Sequence, residues 1–247
     1  MTGAAAAGGD WSVERRIDTA RALHAPWPPS AQRRSRLVGL CTVVGRGAIV
    51  LGSTQKIEIV DRARAAHDGV DVVRRSSGGG AVWVGPAAQV WLDAWIPRHD
   101  PLWEDDVIAS SWWLGETWAT ALEGLGAAPL LVHRGRVTRT EWSNIVCFAG
   151  VGPGEVTTGP AKVVGIAQRR TREGARLHSM AMVSWDPTVL LALLALDAND
   201  DRPARRVDDA LAGVATGLGD ILPTPRRDRG VSSIVTTVED ALLSVLP

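Results

Sequence analysis

Three glycines in a row, a rare lysine, a cysteine at a turn and a histidine on a strand are the residues of this chain that could do chemistry. The glycines sit in Arg74-Arg75-Ser76-Ser77-Gly78-Gly79-Gly80-Ala81-Val82. Glycine permits backbone dihedrals that bring N–H groups close to a ligand, and successive N–H groups form an anion-binding concavity. The two arginines offer planar, multi-donor contacts to phosphate or carboxylate. No Gly-Lys-Ser/Thr follows, so the loop is not a Walker A loop. It is not a dinucleotide fingerprint either, because the chain continues as a strand, Ala81-Val82-Trp83-Val84, where that fingerprint opens a helix. The plainer alternative is a flexible hairpin with a solvated arginine pair.

The second constellation is Gly159-Pro160-Ala161-Lys162-Val163-Val164-Gly165-Ile166-Ala167-Gln168. Only two residues are lysine, and 25 of the 27 basic residues are arginine, so a lysine at the start of an apolar, glycine-flanked strand calls for a reason. An ammonium is a compact point charge on a flexible stem, suited to holding an oxyanion or a phosphate without acting as a base. Lys56, after Ser53-Thr54-Gln55, lacks such a frame and reads as a solvated loop or helix-start residue.

Cys147 lies in Asn144-Ile145-Val146-Cys147-Phe148-Ala149-Gly150, a strand end running into a glycine-rich turn. A thiol exposed there near a cation would be an activated nucleophile. On local context alone, a small buried hydrophobe is the commoner fate of a free cysteine. Cys41 has only a core environment. His178, on the strand opposite the lysine strand, could shape the site or bond across the ladder as a satisfied structural histidine. His24, His67, His99 and His133 are scattered. No ligand-type residues recur at metal spacing, so no structural or catalytic zinc is expected.

The elements that must position these groups belong to a chain of 247 residues and 26.2 kDa, sized for one domain with at most a small appendage. Hydrophobic residues make up 45% and charged residues 22%, a globular composition. The 27 basic and 27 acidic residues cancel, which argues against a nucleic-acid partner. No apolar run approaches the roughly 20 residues a membrane helix needs. The Gly/Ala-rich residues 1–10 lack a signal-peptide pattern and read as a disordered tail. Two cysteines and no export signal point to a reducing cytosol, hence a cytoplasmic location.

Apolar periodicity predicts a helix over 11–24, a long helix over 101–125 with Val107, Leu114, Trp118, Ala121 and Leu125 on one stripe, and helical turns over 57–67, 186–196 and 207–217. Thr236-x-x-Glu239 reads as a capping box opening a C-terminal helix. Strands are expected over 37–44 paired with 48–51, then 70–75, 81–84, 89–96, 130–133, 143–148, 155–157, 162–168 and 176–184. A hairpin turn is expected at 169–175. The class is α+β, with one mostly antiparallel central sheet flanked by helices and no long strand–helix alternation.

With the residues in this order, the chain resembles the lipoate–protein ligase and octanoyltransferase family, relatives of biotin–protein ligase. Arg74-Arg75-Ser76-Ser77-Gly78-Gly79-Gly80-Ala81-Val82 is similar to the family's glycine loop. Lys162-Val163-Val164-Gly165-Ile166-Ala167-Gln168 is similar to its lysine segment. The likeness covers about residues 37–197, leaving C-terminal helices over 198–247 within a catalytic domain of 11–247. It implies transfer of an octanoyl or lipoyl group onto a lysine of a carrier domain. The carriers implied are lipoyl domains of dehydrogenase complexes or the glycine cleavage protein, with acyl carrier protein as donor. Carried over, Gly78, Gly79 and Gly80 wrap the acyl head, together with Ser77 and Gly165. Arg75 contacts phosphate in a ligase, and Lys162 binds the acyl carbonyl or adenylate phosphate.

Two mechanisms share the family scaffold. A ligase activates free lipoate with ATP and Mg²⁺. A transferase uses octanoyl carrier protein and no tightly bound cofactor, and one branch works through a cysteine thioester. Cys147-Phe148, Glu155 and Lys162 stand in an arrangement similar to that branch, which raises Cys147 to the expected nucleophile. Trp83-Val84, Ile166, His178-Ser179 and Gly159-Pro160-Ala161 depart from the family pattern, while Gly80 is ligase-like. A non-catalytic member that binds the ligand or carrier is the third alternative.

Overall fold

Every residue of the segment Gln89–Ile96 is buried although it alternates apolar with bulky or charged side chains. A strand in this condition must be covered on both faces. In the computed structural model, which describes residues 11–127, 129–196, 210–223 and 230–247, this is strand β6 (Gln89–Pro97), inside a seven-stranded sheet of order β1-β2-β6-β10-β9-β8-β7. The others are β1 (Trp11–Asp18), β2 (Arg36–Val43), β7 (Leu131–Val132), β8 (Val156–Thr158), β9 (Ala161–Arg170) and β10 (Gly174–Met182). All neighbours are antiparallel except β1 and β2, which run parallel. The expected α+β, mostly antiparallel class is therefore observed.

Parity along β6 divides the molecule. Val90, Leu92, Ala94 and Ile96 point into a core shared with helix α3 (Trp112–Gly124) and the C-terminal helix Val231–Ser244. There Leu114, Trp118 and Leu122 of α3 meet Ile234, Val238 and Leu242. Trp91, Asp93 and Trp95 take the alternate positions and point to the opposite face. That face is partly covered by a three-stranded sheet of order β4-β3-β5, from β3 (Ala48–Leu51), β4 (Asp71–Arg74) and β5 (Val82–Val84). Cys41, Val50, Val73, Val84 and Trp91 join there in a second cluster. The glycine loop leaves β4 and enters β5 directly above the large sheet.

Several expected elements take another form. Residues 11–24 are not one helix: β1 runs beside β2 for eight register pairs, and only Ala20–Leu23 is helical. Trp11 and Val13, two residues apart, share one face of a strand but not of a helix, and the edge of β2 supplies the hydrogen bonds that hold the strand. Residues 37–44 and 48–51 are strands, but they lie in different sheets rather than pairing with each other. The segment 143–148 is a turn with a single bridge, Ala81↔Val146, followed by a 3₁₀ turn at Cys147–Ala149. Helix α3 begins at Trp112, and Val107 stands 55% exposed on the preceding loop. Within 57–67, a 3₁₀ turn at Ile57–Ile59 precedes a helix at Arg62–His67 capped by Asp61. Asp186 accepts from the Thr188 amide at the start of a short helix, Thr188–Ala192. The C-terminal helix begins at Val231, so Thr236 and Glu239 fall inside it. There Thr236 donates to the Ser232 carbonyl and Glu239 pairs with Arg15. The tail expected at 1–10 lies outside the described residues, as does most of 198–217. No described helix is long and apolar enough to cross a membrane.

Candidate active site

The lysine strand and the cysteine turn meet through backbone. The Lys162 side chain is 1% exposed. Its Nζ donates to the carbonyls of Cys147 and Gly150, each at 3.0 Å, and lies 2.8 Å from Glu155 Oε2. The Phe148 ring centroid is 5.0 Å away. Beyond the end of β10, residues 214–216 take over the edge of β9: the Lys162 amide donates to Val214 and its carbonyl accepts from Thr216. A cation this deeply buried needs a carboxylate and further acceptors, and it has both. Glu155 in turn accepts from the Gly152 amide at 2.6 Å and the Ile166 amide at 3.0 Å. The carboxylate thus clamps the 150–155 turn onto β9.

The glycine loop closes on the same turn. The Ala81 amide donates to Ile145 and the Cys147 amide to Ala81. A Cβ on Gly80 would lie 2.5 Å from the Val146 carbonyl carbon and 2.7 Å from the Cys147 nitrogen. Only glycine lets the two backbones approach this closely. Gly79 adopts φ +103°, and a Cβ built on it would stand 3.9 Å from Cys147 Sγ. The amides of Gly78, Gly79 and Gly80 donate to no acceptor among the described residues. Gly165 keeps the floor open, since its Cβ would meet Lys162 Cε at 3.3 Å and Phe148 Cζ at 3.6 Å.

Arg75 is buried and folds back beneath the loop, donating to Gly78 at 2.8 Å, Gly80 at 2.9 Å and Val50 at 3.5 Å. Its Nη2 lies 3.8 Å from Cys147 Sγ. Ser77 is buried with an unpartnered hydroxyl, while its carbonyl accepts from Ser53. Cys147 is half-buried and Cys41 buried. Burial, reinforced by the neighbouring Asp93 carboxylate, pushes the Cys41 thiol well above its ordinary value.

Two spaces open on these residues. A small apolar cavity of about 50 Å³ is lined by His24, Trp91, Phe148, Gly165 and His178 among others. A wide cleft of about 510 Å³ is lined by Gly78, Gly79, Gly80, Gly150, Glu155 and Lys162 among others. Cys147, Ile166 and Ala167 line both.

The sequence reading did not single out the charged cluster under the cavity. Asp93 is fully buried, 2.8 Å from Arg16, 2.6 Å from Arg176 and 2.6 Å from His178 Nδ1, and it accepts from the Trp91 indole at 2.9 Å. The His178 contact has ion-pair distance without hydrogen-bond alignment. Burial opposes ionisation of Asp93, but His178 and the two guanidiniums outweigh it and hold the carboxyl well below its ordinary range. Burial also holds His178 below the ordinary imidazole value, and it holds His24 well below that value with His178 adding to the effect. The signal in the sequence was an aspartate inside an otherwise apolar strand, Val90-Trp91-Leu92-Asp93-Ala94-Trp95. Lys56 is exposed at the start of the 3₁₀ turn. Among the described residues no group of three or more His, Cys, Asp or Glu side chains is placed to hold a metal ion.

The seven-stranded sheet thus carries helices on one face and, on the other, a glycine loop closing over a buried lysine. Residues 34–239 match the lipoyl protein ligase A/B catalytic domain, and the chain belongs to that family. No curated protein matches its sequence. Its fold is similar to that of the bi-partite lipoate protein ligase of Thermoplasma acidophilum, described with its E2 lipoyl domain. That match has a TM-score of 0.64 and 15% identity over 93% of this chain and 82% of the other. A lipoate-protein ligase A bound with ATP gives 0.60 and 15% over 92% and 83%. LipL1 of P. falciparum in complex with lipoate gives 0.56 and 13% over 93% and 60%.

Proposed function

We propose that this protein transfers an octanoyl or lipoyl group to a carrier-domain lysine through a thioester on Cys147. The observation that carries the reading is the position of Cys147, which lines both the apolar cavity and the open cleft. The first, at about 50 Å³, has room for only a short part of an acyl tail unless its walls move, while the donor and then the acceptor can approach through the second.

In the first half-reaction the Cys147 sulfur attacks the donor thioester carbonyl. A new C–S bond forms, the donor C–S bond breaks, and the proton of the cysteine thiol leaves with the donor thiol. In the second, the acceptor lysine amine attacks the acyl-enzyme, the amide forms, and the sulfur regains a proton from the amine. Each step exchanges one acyl bond for another and needs no ATP. Both pass through a tetrahedral oxyanion. The unengaged amides of Gly78 to Gly80 are the donors available to it, each worth roughly 3 kcal/mol, while Lys162, its three N–H groups spent on Cys147, Gly150 and Glu155, positions the Cys147 turn and adds only its nearby positive charge.

The ATP-dependent ligase remains the second reading, favoured by the glycine triplet and Arg74-Arg75. Three features of the site favour the transferase. Arg75 spends its donors on loop carbonyls. Among the described residues Glu155 is the sole carboxylate lining the cleft, and both its oxygens are engaged.

The test is intact mass after incubation with octanoyl–acyl carrier protein without ATP. The expected result is one octanoyl adduct, absent from Cys147→Ala. An adduct that persists in Cys147→Ala refutes the thioester route. Pyrophosphate release on adding lipoate, ATP and Mg²⁺ would support the ligase.

A further inference from the structure

Arg75 is a buried cation without a carboxylate. It is 5% exposed, and among the described residues no Asp or Glu pairs with it. Its N–H groups donate to the neutral carbonyls of Gly78, Gly80 and Val50. It also lines a cavity of about 370 Å³ together with Arg33, Arg74, Arg169 and Arg176, and no carboxylate lines that cavity. Arg33 is paired with Glu173, and Arg176 with the buried Asp93. A guanidinium withdrawn from water without an opposite charge is costly.

One atom beside it can carry a negative charge. Cys147 Sγ lies 3.8 Å from Arg75 Nη2. Gly79 adjoins both: a Cβ there would stand 2.7 Å from Nη2 and 3.9 Å from Sγ. Only a residue without a side chain leaves the two in contact. The other charged or titratable groups around the sulfur bring it no comparable positive charge. Lys162 lies 2.8 Å from Glu155, and the two form a neutral pair. Burial holds His24 and His178, which line the apolar cavity with Cys147, below the ordinary imidazole value, so both are uncharged at neutral pH. Arg136 lines the cleft but is exposed, where water screens it.

We infer that Arg75 is a catalytic residue: its guanidinium stabilises the negative charge that the Cys147 sulfur carries during acyl transfer. The inference rests on the proposed thioester reading. The charge arises twice. In the first half-reaction the sulfur attacks the donor carbonyl while its proton leaves with the departing donor thiol. In the second it departs from the acyl carbon with the electron pair of the broken C–S bond, before a proton from the acceptor amine neutralises it. In both, a fixed unit charge 3.8 Å away acts on the sulfur itself. The Gly78 to Gly80 amides act instead on the carbonyl oxygen.

The experiment alkylates the full chain with two reagents of nearly equal size, neutral iodoacetamide and anionic iodoacetate. Peptide mass mapping separates Cys147 from the buried Cys41. Both reagents take the thiolate form of sulfur, so their rate ratio cancels access and reads the local charge. The ratio of iodoacetate to iodoacetamide rates should be at least about fivefold higher in the folded protein than at the same cysteine in urea. In Arg75→Gln that excess should vanish, and iodoacetamide should react at least about tenfold more slowly at about pH 7. The deficit should shrink to about twofold at about pH 9.5, where an ordinary thiol loses its proton unaided.

A folded-state ratio no higher than in urea overturns the inference without any variant. So does an Arg75→Gln protein that reacts like the wild type near neutral pH. A deficit that is the same at both pH values overturns it too, because it marks a merely structural arginine. Neither reagent needs an acyl donor, so these outcomes are separate from the acyl-enzyme. An octanoyl adduct lost in Cys147→Ala would sustain the thioester reading even with a flat ratio. A raised ratio with no adduct would sustain Arg75 as the counter-charge of the sulfur and take the thioester reading away.

Discussion

Glu155→Gln tests the packing logic of the site most directly. The side chains of Glu155 and Lys162 are 6% and 1% exposed, and they meet at 2.8 Å. The carboxylate also accepts two backbone amides, from Gly152 and Ile166, one on each oxygen. A glutamine keeps the shape but has one acceptor oxygen, and its amide group would face either a backbone N–H or the Lys162 ammonium as donor against donor. Removing one partner of a buried pair costs about 3–5 kcal/mol. For a chain of this size that is a fall in Tm of roughly 6–20 °C. Urea unfolding with far-UV circular dichroism, and thermal scans, measure it. In Glu155→Gln/Lys162→Met the uncompensated charge is gone, so the double variant should recover part of the loss. A single-variant loss under about 1 kcal/mol, or a double variant no more stable than the single, would show that Lys162 is not held as a buried ion pair.

Gly80→Ala drives a methyl group against the Val146–Cys147 backbone. Overpacking of this kind costs about 1–3 kcal/mol, and small displacements of reacting groups slow chemistry by up to about a hundredfold. Acyl-enzyme formation should slow at least about tenfold, and an unchanged rate would mean that the loop's approach to Cys147 does not matter. The buried imidazoles predict a pH dependence. His24 and His178 are held below the ordinary value of 6.5, so below that pH the unfolded chain binds protons that the folded chain refuses. Stability should therefore fall as pH drops below about 6.5, by up to roughly 1.4 kcal/mol per pH unit for each histidine. His24→Phe should make the slope shallower. Urea midpoints at pH 7.5 and pH 5 measure this, and a flat wild-type profile would refute it.

The local chemistry was legible because its grammar is local. Glycines 78–80 declare a loop that needs no side chains, a solitary lysine in an apolar strand calls for a functional reason though not for burial, and the hydrophobic runs 89–96 and 162–168 declare strands. The α+β class and the family follow from these. Tertiary structure decided what depends on partners distant in the chain. Trp11 to Asp18 form a strand because β2 offers an edge, a fact absent from the segment's own periodicity. Strands 37–43 and 48–51 part company because each finds a better neighbour than the other. The fate of Cys147 was ambiguous in sequence, since buried and reactive cysteines have the same local context. Only the meeting of β4–β5, the 147–149 turn and β9 sets its sulfur between a cavity and a cleft. The same holds for the arginines. Arg33, Arg169 and Arg176 are distant in sequence from the Arg74-Arg75 pair, and folding the sheet is what lines all five along one cavity. Sequence reports the composition of a site wherever its parts are contiguous. It is silent where charge and cavity arise from elements brought together by packing.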